Sequence, residues 1–296
     1  MLEYLKEFFE EFEYEMIDRC ALGIAYDKIM ACEDAGNILL SLIRGYDKDT
    51  RFIKSSHIEN IERMASISGV HKNTAIMLTL ILLSKKMRER LLKLGLAKKV
   101  ISSTLLDFKY KLIEGKKLHG VVGFDKFDWY LRFLELRIFA IGRLQFELRQ
   151  YPGDTITVNG ITVKNAEPVL YTHIPRDGTP LDIKLCNASF KEARRVISKL
   201  IGVENIPILC ASWLLYPKNR DFLPESSNII KFMDRFELIR VDDSAPGYNG
   251  IIPFIFAVRE DTRYEDLPED SSLQKSYKNH LLSGGVLGAG TGVLRD

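Results

Sequence analysis

The apolar residues of this chain change their period partway along, and that change constrains the fold more than any other feature. In the first part they recur at helical spacing. Leu2, Leu5, Phe8, Phe9, Phe12 and Met16 form one stripe, with glutamates on the other face. Ser56 and Glu59 read as a capping box ahead of Ile58, Ile61, Met64 and Ala65. Residues 76–94 read as a long helix stopped at Gly95, and residues 103–114 as another closed at Gly115. Residues 116–123, polar and glycine-bearing, read as a linker.

Beyond a short helix capped by Asp125, the pattern alternates. Leu144, Phe146 and Leu148 share one face, and Arg143, Gln145, Glu147 and Arg149 share the other, as in a half-buried strand. Ile156-Thr-Val-Asn159-Gly160-Ile-Thr-Val163 is two alternating runs joined by Asn-Gly, a hairpin whose two turn positions need positive φ. Residues 169–174 read as a third antiparallel strand. Ser189 and Glu192 read as a capping box for a helix with Ala193, Val196, Ile197, Leu200 and Ile201 inward. Then come an apolar strand (208–215), a helix (227–236), a strand (237–241) and an apolar strand containing Pro253 (251–258). Gly247, Asn249 and Gly250 mark the turn between the last two. A final helix starts at Ser271 and Gln274 and runs through Leu282.

The expected fold class is therefore α+β: an all-helical N-terminal domain, 1–120, followed at 121–296 by a mixed, mostly antiparallel sheet with flanking helices. A length of 296 residues with 46% hydrophobic residues suits two domains with separate cores. The 42 Lys+Arg and 40 Asp+Glu leave a net charge of +2, which makes no case for nucleic acid or an anionic membrane as partner. The four cysteines, Cys20, Cys32, Cys186 and Cys210, form no C-x-x-C pair and have no histidine at ligand spacing, so neither a metal nor a disulfide framework is expected. The acidic start of the chain lacks a basic signal region, and the longest apolar run, 76–83, is far short of a membrane span. The expected location is the cytoplasm.

Several local sequences resemble one another's counterparts in a single family: Gly142-Arg-Leu-Gln-Phe-Glu147, His173-Ile-Pro175, Cys210-Ala-Ser-Trp-Leu-Leu215, Leu223-Pro-Glu-Ser-Ser-Asn-Ile229, and His280-Leu-Leu-Ser-Gly-Gly285 with Gly292-Val-Leu294. The chain resembles a bacterial family of acyltransferase-domain proteins with a helical N-acyltransferase N-terminal domain and a GNAT-like C-terminal domain. The resemblance implies acyl-CoA or acetyl-CoA as cosubstrate, an amine acceptor and no metal. The alternative is a GNAT-like module that binds a ligand or protein without catalysis. The Arg/Gln-x-x-Gly-x-Gly/Ala phosphate loop of such enzymes is not matched. The corresponding stretch is Pro175-Arg-Asp-Gly-Thr-Pro-Leu-Asp182, with one glycine.

Acyl transfer to an amine needs backbone donors for a pyrophosphate, a base, and a donor for the oxyanion. Arg176, Gly178 and Ser189 are the expected cofactor-binding residues. Glu147, on the polar face of its strand, is either the base or a carboxylate paired with Arg143 or Arg149. His173 is either a proton carrier at a strand end or a histidine bonded to backbone. Ser212 is placed to line the cleft beneath a thioester, whereas Cys210 reads as core. Tyr216 is the tyrosine nearest the end of its strand.

Overall fold

The computed structural model describes residues 1–243 and 249–295; Gly247, expected to mark a turn, lies outside the described residues. Two compact units divide between Ala140 and Ile141.

The first unit is built from α1 (Leu2–Glu11), α2 (Met16–Ala31), α3 (Glu33–Lys48), α4 (His57–Ser68), α5 (Lys72–Lys93), α6 (Lys98–His119) and α7 (Phe127–Leu134). The stripe read on α1 is inside: Tyr4, Leu5, Phe8 and Phe9 are buried. Every side chain of α5 from Asn73 to Ser84 is buried, as expected of a helix that is apolar all round. α4 ends in a left-handed glycine, Gly69 (φ 64), whose neighbour Val70 donates back to the Ala65 carbonyl at 2.9 Å.

Four local expectations are corrected here. α6 runs through Gly115 and ends at Gly120. A Cβ at Gly115 would run into the Gly123 carbonyl oxygen, so this glycine serves a close approach and not a helix stop. The stretch 116–123 is also not a free linker. Lys116 to His119 are helical, Thr74 Oγ1 donates to the Val122 carbonyl (2.7 Å), and the Phe124 N–H donates to the Asn73 carbonyl (3.1 Å). Finally, Ser56 makes no side-chain cap, and α7 starts after Lys126 and not after Asp125.

The sheet strands are β1 (Ile138–Ile141), β2 (Leu144–Gln150), β3 (Ile156–Val158), β4 (Ile161–Val163), β5 (Pro168–His173), β6 (Ile208–Ser212), β7 (Phe236–Asp243) and β8 (Gly288–Leu294). Six of them form a mixed sheet in the order β1-β2-β5-β6-β8-β7, and β3-β4 is a separate ribbon. Only β5 and β6 pair in parallel among the registered neighbours; the other pairs are antiparallel. The hairpin turn is as read: Asn159 and Gly160 have φ of 48° and 82°.

The helices of this unit are α8 (Ile183–Ile201), α9 (Asn228–Met233), α10 (Ile252–Phe256) and α11 (Ser272–Leu282). The capping box at Ser271 and Gln274 is present on α11. Phe190 of α8 meets Phe146, Phe232 and Phe236, so α8 and α9 share one core with the face of the sheet that carries Phe146. The opposite face holds a second cluster, Tyr151, Val163, Val169, Leu209 and Val293, covered by Ile156 and Ile161 of the hairpin.

The apolar run at 251–258 is not a strand. Pro253 stands at the start of α10, where its missing N–H is harmless and its fixed φ suits a helix. Its place in the sheet is taken by β8, a glycine-rich segment. Gly288 lies against the Tyr216 ring, Gly290 against the Leu215 backbone and Gly292 against Phe236, and a Cβ at any of them would collide.

Candidate active site

Register places the expected site residues on opposite faces of the sheet. Gln145 pairs with His173 and Glu147 with Tyr171 across β2 and β5. Residues directly opposite in an antiparallel ladder share a face, so Gln145, Glu147, Tyr171 and His173 lie together. Carrying the register through β6 puts Leu209 and Ala211 on that face, and Cys210 and Ser212 on the α8 side.

The polar face of β2 is buried. Gln145 and Glu147 are 2% and 1% exposed, so this is not a solvated edge carrying surface ion pairs. Glu147 Oε2 lies 3.1 Å from His173 Nε2. The carboxylate side chain is 2% exposed and the imidazole 23%, which makes His173 the member that reaches solvent. Neither arginine of the strand takes the expected role. Arg143 donates to the carbonyls of Pro180 (3.0 Å), Thr179 (2.8 Å) and Pro175 (3.3 Å) and stands 3.6 Å from Asp177. The Arg149 guanidinium sits over the Tyr171 ring at 4.9 Å. Burial raises the pKa of the Tyr171 phenol, and the Arg149 charge opposes that rise.

His173 is also where the sheet opens. The parallel ladder of β5 and β6 registers Leu170 with Ile208 and Tyr171 with Leu209 and goes no further. β6 continues to Ser212 along β8, so the ends of β5 and β6 part, with His173 on one side of the gap.

The loop from His173 into α8 is stapled by Arg143 and by Asp177, whose Oδ1 accepts from the Thr179 N–H and Oγ1 at 2.9 and 2.7 Å. Gly178 has φ of 79°, a left-handed turn position that suits glycine. Arg176 Nη1 donates to the Pro253 carbonyl at 2.9 Å. Ser189 is not the cap of the helix. It is buried two turns inside α8, where its Oγ accepts from the Arg143 N–H and donates to the Leu185 carbonyl, both at 2.8 Å. The cap is Asp182, whose Oδ1 accepts from the N–H groups of Lys184 (2.8 Å) and Leu185 (3.0 Å). Asp182 carries its own start signal in the sequence, an aspartate before the apolar stripe, seven residues ahead of the Ser189 and Glu192 pattern.

Ser212 Oγ accepts from the Leu214 N–H at 3.2 Å and so caps the 3-10 turn after β6. Cys210 is fully buried, and burial pushes its thiol up to about 12, as suits core. The Tyr216 hydroxyl donates to Asp243 Oδ1 at 2.6 Å; burial first, then that bond, raises its pKa. Two open cavities, of about 230 and 360 Å³, lie along β7 and α3 and contain neither Glu147 nor His173. Among the described residues no cluster of His, Cys, Asp or Glu is arranged to hold a metal, and no single helix is long and apolar enough to cross a membrane.

Residues 3–136 match the N-acyltransferase N-terminal domain, and residues 138–294, just over half of the chain, match the GNAT-like C-terminal domain. An acyltransferase solved with decanoyl-CoA and teicoplanin has a TM-score of 0.74 at 20% identity, covering 98% of this chain and 86% of that one. An acyltransferase with CoA and 10C-teicoplanin gives 0.75 at 20% identity, covering 98% and 87%, and a mutant acyltransferase with octanoyl-CoA gives 0.75 at 20%, covering 99% and 88%. At that identity the likeness is one of fold. No curated protein sequence matches the chain significantly.

Proposed function

This chain belongs to the family of the GNAT-like C-terminal domain, preceded by an N-acyltransferase N-terminal domain, and from that premise we propose that it is an acyl-CoA-dependent N-acyltransferase. The observation that carries the reading is the His173–Glu147 pair at the point where β5 and β6 part. A thioester held in that gap has an imidazole at its edge with a buried carboxylate behind it.

The chemistry divides as follows. A neutral amine attacks the thioester carbonyl and forms a C–N bond. His173 takes the proton that the nitrogen sheds, and Glu147 holds the imidazole and stabilises its cationic form. Collapse of the tetrahedral adduct breaks the C–S bond, and the imidazolium returns its proton to the leaving thiolate. The products are an amide and CoA, and the base is regenerated. Glu147 is thus a positioning residue and His173 the proton carrier. Ser212 and Cys210, on the other face, take no part. Arg176 and Gly178 belong to the loop that meets the CoA phosphates, while Ser189 shapes that loop through Arg143. The neighbours' octanoyl and decanoyl donors, and teicoplanin in their crystals, recommend medium acyl chains and a glycopeptide amine as first reagents.

One observation favours the non-catalytic reading. The Asp182 carboxylate occupies the first amides of α8 and brings negative charge to the helix end where a pyrophosphate would sit. Turnover separates the two. Thiol release from acyl-CoA that depends on an amine, and is lost in His173→Ala, supports transfer. Binding of CoA without amine-dependent thiol release across short and medium donors would support the module.

A further inference from the structure

The face of β2 and β5 that carries Glu147 and His173 also carries one permanent positive charge. Arg149 follows Glu147 by two residues on β2, so the two side chains leave the sheet on the same side. Arg149 stands opposite Val169, yet its guanidinium lies over the ring of Tyr171, 4.9 Å from the centroid. Tyr171 is the residue opposite Glu147 and precedes His173 by two on the same face. The arginine side chain therefore leans along the sheet toward His173 and ends about one same-face step, ~7 Å, short of it. An aromatic face holds a cation through its quadrupole but satisfies none of the five guanidinium N–H donors. Among the described residues, no carboxylate or carbonyl takes them up, and the Tyr171 hydroxyl has no hydrogen-bond partner. Both side chains are half-buried, so solvent reaches them. A guanidinium fork placed by a ring, partly out of water and with its donors open, suits a carboxylate.

The acyl donor does not supply that carboxylate. Its phosphates are assigned to the loop of Arg176 and Gly178, which leaves β5 beyond His173, whereas Arg149 lies toward the other end of the strand. An acyl tail is apolar and gains nothing from a guanidinium. What remains is the acceptor. We propose that Arg149, placed by the Tyr171 ring, binds a carboxylate of the acceptor, and that the chain acylates amines that carry such a group at peptide spacing. An extended peptide rises ~3.4 Å per residue. A dipeptide with its amine at His173 thus brings its carboxylate to the guanidinium, and a single α-amino acid falls short. The inference rests on the transfer reading, since it assigns the acceptor side of the same site.

Matched acids and amides test it on the full chain: glycylglycine against glycylglycinamide, and alanylalanine against its amide. Ligand-observed nuclear magnetic resonance, with and without CoA, gives their dissociation constants. The wild type should bind each acid about 10- to 100-fold more tightly than its amide, the usual worth of a hydrogen bond to a charged group. Arg149→Gln should bring that ratio to about one. Arg149→Lys, which keeps the charge and loses the fork, should keep part of it. Arg195→Gln, which removes an exposed arginine on α8 across the sheet, should keep all of it and so separates a local contact from net charge. With octanoyl-CoA as donor, thiol release in Arg149→Gln should show the loss as a higher KM for the acid, with kcat little altered. An arginine of purely structural worth would instead weaken acid and amide alike and lower Tm. Equal binding of acid and amide, binding of neither, or a ratio that survives Arg149→Gln would overturn the inference. Carboxylate binding through Arg149 without thiol release from any acyl-CoA would uphold this site and remove the transfer reading alone. Thiol release that is indifferent to the carboxylate would do the reverse.

Discussion

Removing the charge of Glu147 while keeping its shape separates a positioning carboxylate from a base. In Glu147→Gln the amide fills the same buried space, but His173 loses its carboxyl partner at 3.1 Å. A hydrogen bond to a charged group contributes about 1.5–3 kcal/mol. At about 1.4 kcal/mol per tenfold, its loss from the transition state slows turnover by roughly 10- to 150-fold. Removal of the proton carrier itself, in His173→Ala, should cost about 10²–10⁴. The two residues act as one unit, so the double variant should be no slower than His173→Ala alone. Thiol release at saturating acyl-CoA and amine gives kcat directly, and far-ultraviolet circular dichroism checks the fold. If Glu147→Gln falls by 10³ or more while His173→Ala stays within about threefold of wild type, the carboxylate is the base and the assignment is reversed. Multiplying losses in the double variant would show that the two act independently, against the pair as drawn.

CoA at about 100 times its dissociation constant should add about 2.7 kcal/mol to stability, read as a rise of several degrees in Tm. No rise with CoA or several acyl-CoAs at millimolar concentration would speak against a donor site. Alkylation of the native protein near neutral pH should label Cys20 and spare Cys186 and Cys210, whose thiols burial pushes up to about 11 and about 12; peptide mass mapping that finds rapid labelling at Cys210 would contradict its place in the core. Two helical glycines should respond with opposite sign. Gly115→Ala should destabilise by about 1–3 kcal/mol because its methyl meets the Gly123 carbonyl, whereas Gly23→Ala, with open space around it, should stabilise by up to about 1 kcal/mol in urea unfolding.

The parts legible in the sequence were those set by local chemistry. Asn159-Gly160 dictated a hairpin, the Ser271 and Gln274 box started α11, and alternation along β2 put Glu147 and Gln145 on one face and Phe146 on the other. The misread parts depend on tertiary context. The Ser189 and Glu192 pattern has the form of a helix start, but Asp182 starts α8 seven residues earlier and leaves Ser189 inside. The apolar run around Pro253 has strand composition, and only its place outside the sheet reveals a short helix. β8 was invisible because glycine disfavours strands; its glycines are required by Tyr216, Leu215 and Phe236, which come near only in the folded chain. At the site, sequence supplied Glu147 and His173 as separate candidates. Their juxtaposition needed the β2–β5 register, and the removal of Ser212 from their side needed the register of β6. The burial of the polar face of β2 was not legible, because burial by distant elements leaves no local mark.

A crystal structure with an acyl-CoA bound tests the central claim most directly. The account predicts the thioester in the gap between the ends of β5 and β6, with its carbonyl carbon on the His173 side and the pyrophosphate against the loop of Arg176 and Gly178 at the start of α8. An acyl-CoA bound on the Ser212 face, or in the cavity along β7, would contradict it.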